Sequence, residues 1–185
     1  MLGIAGAPGG GKSTLARALV AALGPDTARL VGMDGFHLAQ AELERLERAD
    51  RKGAADTFDA AGFADLLRRL RESSDAVVYA PEFRRDIEEP IACAVPVPRE
   101  VPLVVTEGNY LLVADGDWAA VRPLLDEAWF VETDAARRVE WLIARHVAFG
   151  KAPDHAREWV MRSDERNAEL VATTRSRADL VVRVG

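Results

Sequence analysis

Apolar residues along the chain fall into short, largely unbroken runs and longer stretches of helical spacing, and the two kinds alternate. Residues 2–5, 28–33, 101–106, 128–131 and 180–184 are runs without polar alternation, which predicts strands buried on both faces. Leu15, Leu19, Val20 and Leu23 recur at helical spacing before Gly24-Pro25 ends the run, and residues 39–50 read as a charged helix. Phe63, Leu66, Leu67 and Leu70 mark one face of a helix that starts at Asp59, a good N-cap. Two further helices, 135–149 and 154–172, are joined by Gly150-Lys151-Ala152-Pro153. Residues 76–80 and 91–97 predict strands around a charged, proline-punctuated stretch, a small antiparallel excursion. Strands alternating with helices imply an α/β fold with a parallel sheet covered by helices on both faces. No repeat or linker interrupts the pattern, so residues 1–185 read as one domain.

Composition narrows the class. The chain has 185 residues, 49% hydrophobic and 29% charged, a globular profile. Its longest uncharged apolar-rich run, 91–98, is far short of the roughly 20 residues of a membrane span. No basic segment precedes an apolar stretch at the start, so a cytoplasmic location is expected. A net charge of -6 argues against nucleic acid or an anionic membrane as partner. The single Cys93 is expected to be a small buried residue, and the three scattered histidines offer no metal-binding pair.

Gly6-Ala7-Pro8-Gly9-Gly10-Gly11-Lys12-Ser13 fits the phosphate-binding loop G-x-x-x-x-G-K-[ST], directly after a predicted strand and before an amphipathic helix. In that context the glycines let backbone N–H groups face phosphate oxygens, and the helix start adds its positive end. Lys12 reaches the β- and γ-phosphates and the Ser13 hydroxyl ligates Mg²⁺, with Thr14 completing the cradle. The loop implies a nucleoside triphosphate but no particular reaction.

Asp34-Gly35-Phe36-His37 closes the second strand, and Glu107-Gly108-Asn109-Tyr110 follows the strand over 101–106. With the phosphate loop, Arg51-Lys52-Gly53, Thr57-Phe58-Asp59, Arg145-His146, Asp164 with Asn167, and Ser176-Arg177-Ala178-Asp179, these motifs span nearly the whole chain. They resemble the small-molecule kinases of the uridine kinase, pantothenate kinase and phosphoribulokinase group, most of all its nucleoside/nucleotide kinase, or fructose transport system kinase, branch. The resemblance implies a P-loop nucleoside triphosphate hydrolase fold with a five-stranded parallel sheet, and ATP- and Mg²⁺-dependent transfer of a γ-phosphate to a hydroxyl. It makes Asp34 the base that faces the acceptor, which agrees with ligands lying outside the carboxyl ends of such strands. Glu107 takes the position of a magnesium-holding or nucleophile-orienting carboxylate. His37 and Tyr110 are candidates for the acceptor pocket, or else packed at the sheet edge.

The same resemblance makes the region about 137–157 a lid, with Arg145 its foremost phosphate-contacting arginine and Arg138 its second. From 134 to 166 the chain holds seven basic residues against six acidic ones, locally positive in an acidic protein. The Arg145-His146 pair departs from the Arg-Asp of many uridine kinases, so that subgroup's lid chemistry does not transfer. Within Arg84-Arg85, Arg85 is the expected acceptor-side residue and Arg84 stays open. A nucleoside monophosphate kinase and a non-catalytic ATP-binding regulator are the alternatives. A GTPase is excluded by the lack of an Asn-Lys-x-Asp motif. Related kinases often form dimers, so a homodimer is the candidate assembly.

Overall fold

The computed structural model describes residues 1–184. Its main sheet has five parallel strands, β1 (Leu2–Gly6), β2 (Ala28–Gly32), β5 (Leu103–Gly108), β6 (Glu127–Thr133) and β7 (Leu180–Val184), in the order β2-β5-β1-β6-β7. The chain leaves the central β1 toward one edge and later crosses to the other. The carboxyl end of β1 therefore lies at the topological switch point, where such sheets open a crevice. A separate antiparallel ribbon pairs β3 (Val77–Arg84) with β4 (Glu89–Pro98), the predicted excursion, with a register shift between Ala80 and Glu82.

Side chains of the parallel strands alternate between two apolar layers. Leu2, Ile4, Val105 and Val131 pack against α1 (Lys12–Leu23) on one face. Ala5, Val31, Val104, Ala128 and Phe130 face the other way, toward α3 (Ala60–Glu72) and its neighbours, where Phe63, Leu66, Leu67 and Leu70 are buried as their spacing predicts. The Asp59 carboxylate accepts a hydrogen bond from the Gly62 N–H at 2.8 Å, capping α3 as expected. The segment expected to act as a lid, about 137–157, falls in α4 (Ala135–Ala148) and the first part of α5 (Pro153–Trp159), and α6 (Glu165–Ala172) follows.

Several local expectations change. The helix predicted over 39–50 shrinks to α2 (Gln40–Arg45), because Glu47 turns to a positive φ of 55° and the chain then folds onto its own loop. The helix predicted over 154–172 carries a π turn at Val160–Asp164 between α5 and α6. Cys93, expected to be buried, is exposed on β4 at φ 57°, since the ribbon has only two strands and packs on one side. No helix among the described residues is long and apolar enough to cross a membrane.

Candidate active site

The phosphate loop follows β1 directly, and Lys12 opens α1, whose first N–H groups have no intrahelical partner. The loop closes on itself through a Gly10 N–H donated to the Ala7 carbonyl at 3.0 Å, and the Thr133 hydroxyl at the end of β6 donates to the Gly10 carbonyl at 2.9 Å. Gly9 has φ 73°, and a Cβ there would stand 2.4 Å from Leu142 Cγ, so the loop and α4 touch at a position only glycine fits. Lys12 Nζ donates to the Ala7 carbonyl at 3.0 Å and to Asn109 Oδ1 at 2.7 Å. Burial lowers its pKa, against the opposing pull of Glu107 and Asp34.

Strand alternation places the acidic partner. On β5, Glu107 is two residues beyond Val105 and shares its face, the one covered by α1, so its Oε1 meets the Ser13 hydroxyl of the first helical turn at 3.0 Å. In register it lies beside Ile4 of β1 and Gly32 of β2. Burial, followed by the charge of Asp34, raises the Glu107 pKa, with Lys12 and the Ser13 hydrogen bond opposing. These are hard oxygen donors whose buried carboxylate lacks a full countercharge, a setting that a divalent cation satisfies. No cluster of three or more acidic, histidine or cysteine groups occurs among the described residues. One hydroxyl and one carboxylate fit Mg²⁺, which takes only one or two protein ligands and completes its shell with water and phosphate oxygens.

Asp34 sits just beyond β2, in a 3₁₀ turn over Met33–Phe36. The strand stops at Gly32 rather than Met33. Arg85, at the end of the ribbon, donates to Asp34 Oδ2 at 2.9 Å. Burial raises the Asp34 pKa, but His37, Arg85, Lys12 and Arg145 together outweigh it and hold the carboxyl below its ordinary value. His37 packs between Phe58 and Phe83, ring centres 4.0 and 4.6 Å away, with Nδ1 2.8 Å from the Asp34 carbonyl. Burial, chiefly, lowers its pKa.

Two connected cavities, about 950 and 380 Å³, share Gly9, Lys12, Ser13, Asp34, Arg85, Glu107 and Arg145. The larger one is also lined by Gly11 and Thr14, and the smaller by Pro8, His37 and Lys52. Trp141, Arg145 and Phe149, four residues apart along α4 and its C-cap, all line the larger cavity. The Arg145 guanidinium has no hydrogen-bond or ion-pair partner among the described residues, and burial followed by Arg85 lowers its pKa.

Two expected contacts are not assembled. Tyr110, a candidate for the acceptor pocket, is wholly buried against Phe58 and Trp118, and its hydroxyl donates to the Gly53 carbonyl at 2.6 Å. One residue past Asn109, it points into the core while Asn109 faces the loop. Arg138, the second lid arginine, is also buried. It donates to the Pro8 carbonyl at 3.3 Å and to Glu165 at 2.6 Å, so it braces the phosphate loop from behind instead of facing the cavities. Arg84 pairs with Asp86 on the surface, which leaves Arg85 alone at the crevice. In the turn before β7, the Asp179 carboxylate accepts from Arg122 and from the Ala128 N–H.

Asn109, Lys52 and the His146–Asp164 pair at 3.0 Å line the smaller cavity without having been singled out as site residues. For Asn109 the signal is present: it stands two positions after Glu107, on the same strand face. The other contacts join segments far apart in sequence, and no spacing reveals them.

Residues 1–185 match the model of the Phosphoribulokinase / Uridine kinase family. The chain is 30% identical over 193 residues to a protein named "putative uridine kinase" from Schizosaccharomyces pombe, covering 99% of this chain and 82% of that one. It is 26% identical over 208 residues to a pantothenate kinase of Mycolicibacterium vanbaalenii, covering 99% of this chain and 66% of the other. Among solved structures, a "putative fructose transport system kinase" from Silicibacter sp. TM1040 superposes with a TM-score of 0.89 at 36% identity, over 98% of this chain and 88% of that one. With a match along its whole length, and a phosphate loop, a buried strand-end carboxylate and an aspartate converging on one crevice, the protein belongs to the Phosphoribulokinase / Uridine kinase family of small-molecule kinases, which transfer a phosphoryl group to an alcohol.

Proposed function

We propose that the protein transfers the γ-phosphoryl group of ATP to a hydroxyl of a small metabolite, with Asp34 as general base. The carrying observation is that Asp34, Lys12, Ser13, Glu107 and Arg145 line the same connected crevice. The loop amides and Lys12 bind the β- and γ-phosphates. Ser13 and Glu107 would hold Mg²⁺, which when bound neutralises phosphate oxygens and aligns them. Asp34 accepts the proton of the acceptor hydroxyl as its oxygen bonds to phosphorus; the bond to the bridging β–γ oxygen breaks and ADP leaves.

Arg145, unpaired and in the crevice, stabilises the charge spread over the transferring group. Residues about 137–157 act as a lid, with Trp141 and Phe149 excluding water so that the alcohol accepts the phosphoryl group. Arg138 is a positioning residue that sets the loop, and Tyr110 supports the wall. The names of the relatives put a nucleoside, a sugar and a pantothenate-like alcohol among the acceptors to try. Arg84 turns to Asp86, so the pair of arginines expected of a nucleoside monophosphate kinase does not form.

Asp34→Asn tests the reading. Transfer to the best acceptor should fall by about 10²–10⁴-fold, the usual worth of a general base, with ATP affinity changed less than about threefold. An Asp34→Asn variant that phosphorylates at the wild-type rate would remove the proposed base.

A further inference from the structure

We infer that the acceptor carries an anionic group, a carboxylate or a phosphate, held in the smaller cavity by Arg85 and Lys52; this rests on the kinase reading above and names the class of its substrate. Both cations stand over one ring: Arg85 Cζ is 5.4 Å and Lys52 Nζ 5.7 Å from the centre of Phe83. Of these two cations near one ring, Arg85 has Asp34 as a countercharge and Lys52 has none, so an anion placed between them would relieve their mutual repulsion.

Lys52 is brought there by a built anchor. The next residue, Gly53, accepts from the Tyr110 hydroxyl at 2.6 Å and from the Asn167 amide at 3.3 Å, and its own N–H donates to Thr57 Oγ1 at 3.0 Å. Side chains from β5's end and from α6 thus hold a loop whose exposed product is the Lys52 ammonium. That ammonium donates to the Glu88 carbonyl at 2.6 Å and to Gln40 Oε1 at 3.3 Å, both uncharged, and it has no carboxylate partner among the described residues. An ammonium has three N–H donors, so one is left.

Arg85 spends one donor on Asp34 and makes no other hydrogen bond among the described residues. Of the smaller cavity's acidic side chains, Asp34 is bound to Arg85, Glu107 to Ser13 and Asp164 to His146, which leaves the exposed Glu88 beside Lys52, Arg145 and Lys151, while Arg85 keeps donors beyond the one given to Asp34. A neutral sugar or nucleoside would leave the Lys52 ammonium facing uncharged groups and the remaining Arg85 donors unused. A hydroxy acid or a phosphorylated alcohol would instead accept charge-assisted hydrogen bonds from both. His37 adds a constraint. Its Nδ1 donates to the Asp34 carbonyl, so whenever the ring is neutral Nε2 is an acceptor suited to a second hydroxyl.

The experiment offers purified protein, ATP and Mg²⁺ three pairs of acceptors that differ chiefly in charge: glycerate and glycerol, pantothenate and panthenol, ribose 5-phosphate and ribose. ADP formation is measured, and thermal unfolding is followed with each compound in parallel. In at least one pair the anionic member should have a kcat/KM higher by about 30-fold, the scale of a charge-assisted hydrogen bond, and should raise Tm where its neutral partner does not. Whether carboxylates or the phosphate win identifies the anion. Lys52→Gln and Arg85→Gln should each raise KM for that acceptor about 10-fold, with KM for ATP within twofold, and Arg85→Lys should recover part of the loss. Preference for the neutral members, or variants that leave the preference intact, would overturn the inference while leaving the kinase reading standing. ADP formation unresponsive to all six compounds and to uridine would overturn both.

Discussion

Two carboxylates of one crevice are driven in opposite directions. Asp34, in spite of its burial, is held below the ordinary aspartate range by His37, Arg85, Lys12 and Arg145; Glu107, sealed between β1 and β2 without a full countercharge, is driven toward its neutral form. The linkage signs follow. The lowered pKa of Asp34 contributes stability above the unfolded aspartate range of about 3.9, and this is lost as pH falls through the lower folded value. The raised pKa of Glu107 works the other way, and stability drains away as pH rises from the ordinary glutamate range through the raised value. Glu107→Gln should therefore raise the Tm of the ligand-free protein near neutral pH by about 2–4 °C, the shift that roughly 1 kcal/mol produces in a chain of this size. The same variant should need more Mg²⁺ for half-maximal turnover. A lower Tm at neutral pH, measured by calorimetry, would show that the charge is better compensated than its surroundings imply. Asp34 was legible from its motif, and Glu107 from an apolar strand that ends on an acid. Tyr110 was not, because the side of the chain on which a residue past a strand end emerges depends on the turn that follows.

At the scale of elements, the phosphate loop and the lid helix meet at one point. Gly9 has a positive φ and would place any Cβ against Leu142, which is itself fully buried. Gly9→Ala should weaken ATP binding by about 10-fold or more, since the backbone strain of about 1–2 kcal/mol comes with a clash. Gly24→Ala, at φ 80° with nothing within 4 Å, carries the strain alone and should leave ATP affinity within about twofold. Isothermal titration of both variants decides the matter, and equal losses would argue against loop–lid contact as the cause. The strands and most helices could be read from periodicity. The shortening of α2 and the π turn before α6 could not, because each answers to tertiary partners: Asp50's carbonyl accepts from Arg162, and Asp164 reaches His146.

For the whole molecule, the crevice lies between the carboxyl ends of the parallel strands and the segment that holds α4, and the proposed closure of that segment should be visible from outside. A non-hydrolysable ATP analogue with Mg²⁺, at 100 times its Kd, should stabilise the fold by about 2.7 kcal/mol. It should also change tryptophan fluorescence through Trp141, which is 41% exposed on the cavity wall. Trp141→Phe should keep the stabilisation and lose the fluorescence change. If that change persists in Trp141→Phe, it comes from a tryptophan elsewhere, and the lid face named here is not the moving one.

The sequence by itself determined the α/β layering, the phosphate loop and the acids at two strand ends, because each is a local matter: residue spacing along one element, or glycines within one turn. Only the tertiary structure decided that Arg85 binds Asp34, that Lys52 enters the same cavity, that Arg138 braces the loop, and that Tyr110 belongs to the core. Those outcomes depend on contacts between elements, from 36 residues apart for Lys52 and Glu88 to 130 for Arg138 and Pro8, set by how the ribbon, α4 and the loop over 48–57 pack against the sheet, and no periodicity within a single element encodes them.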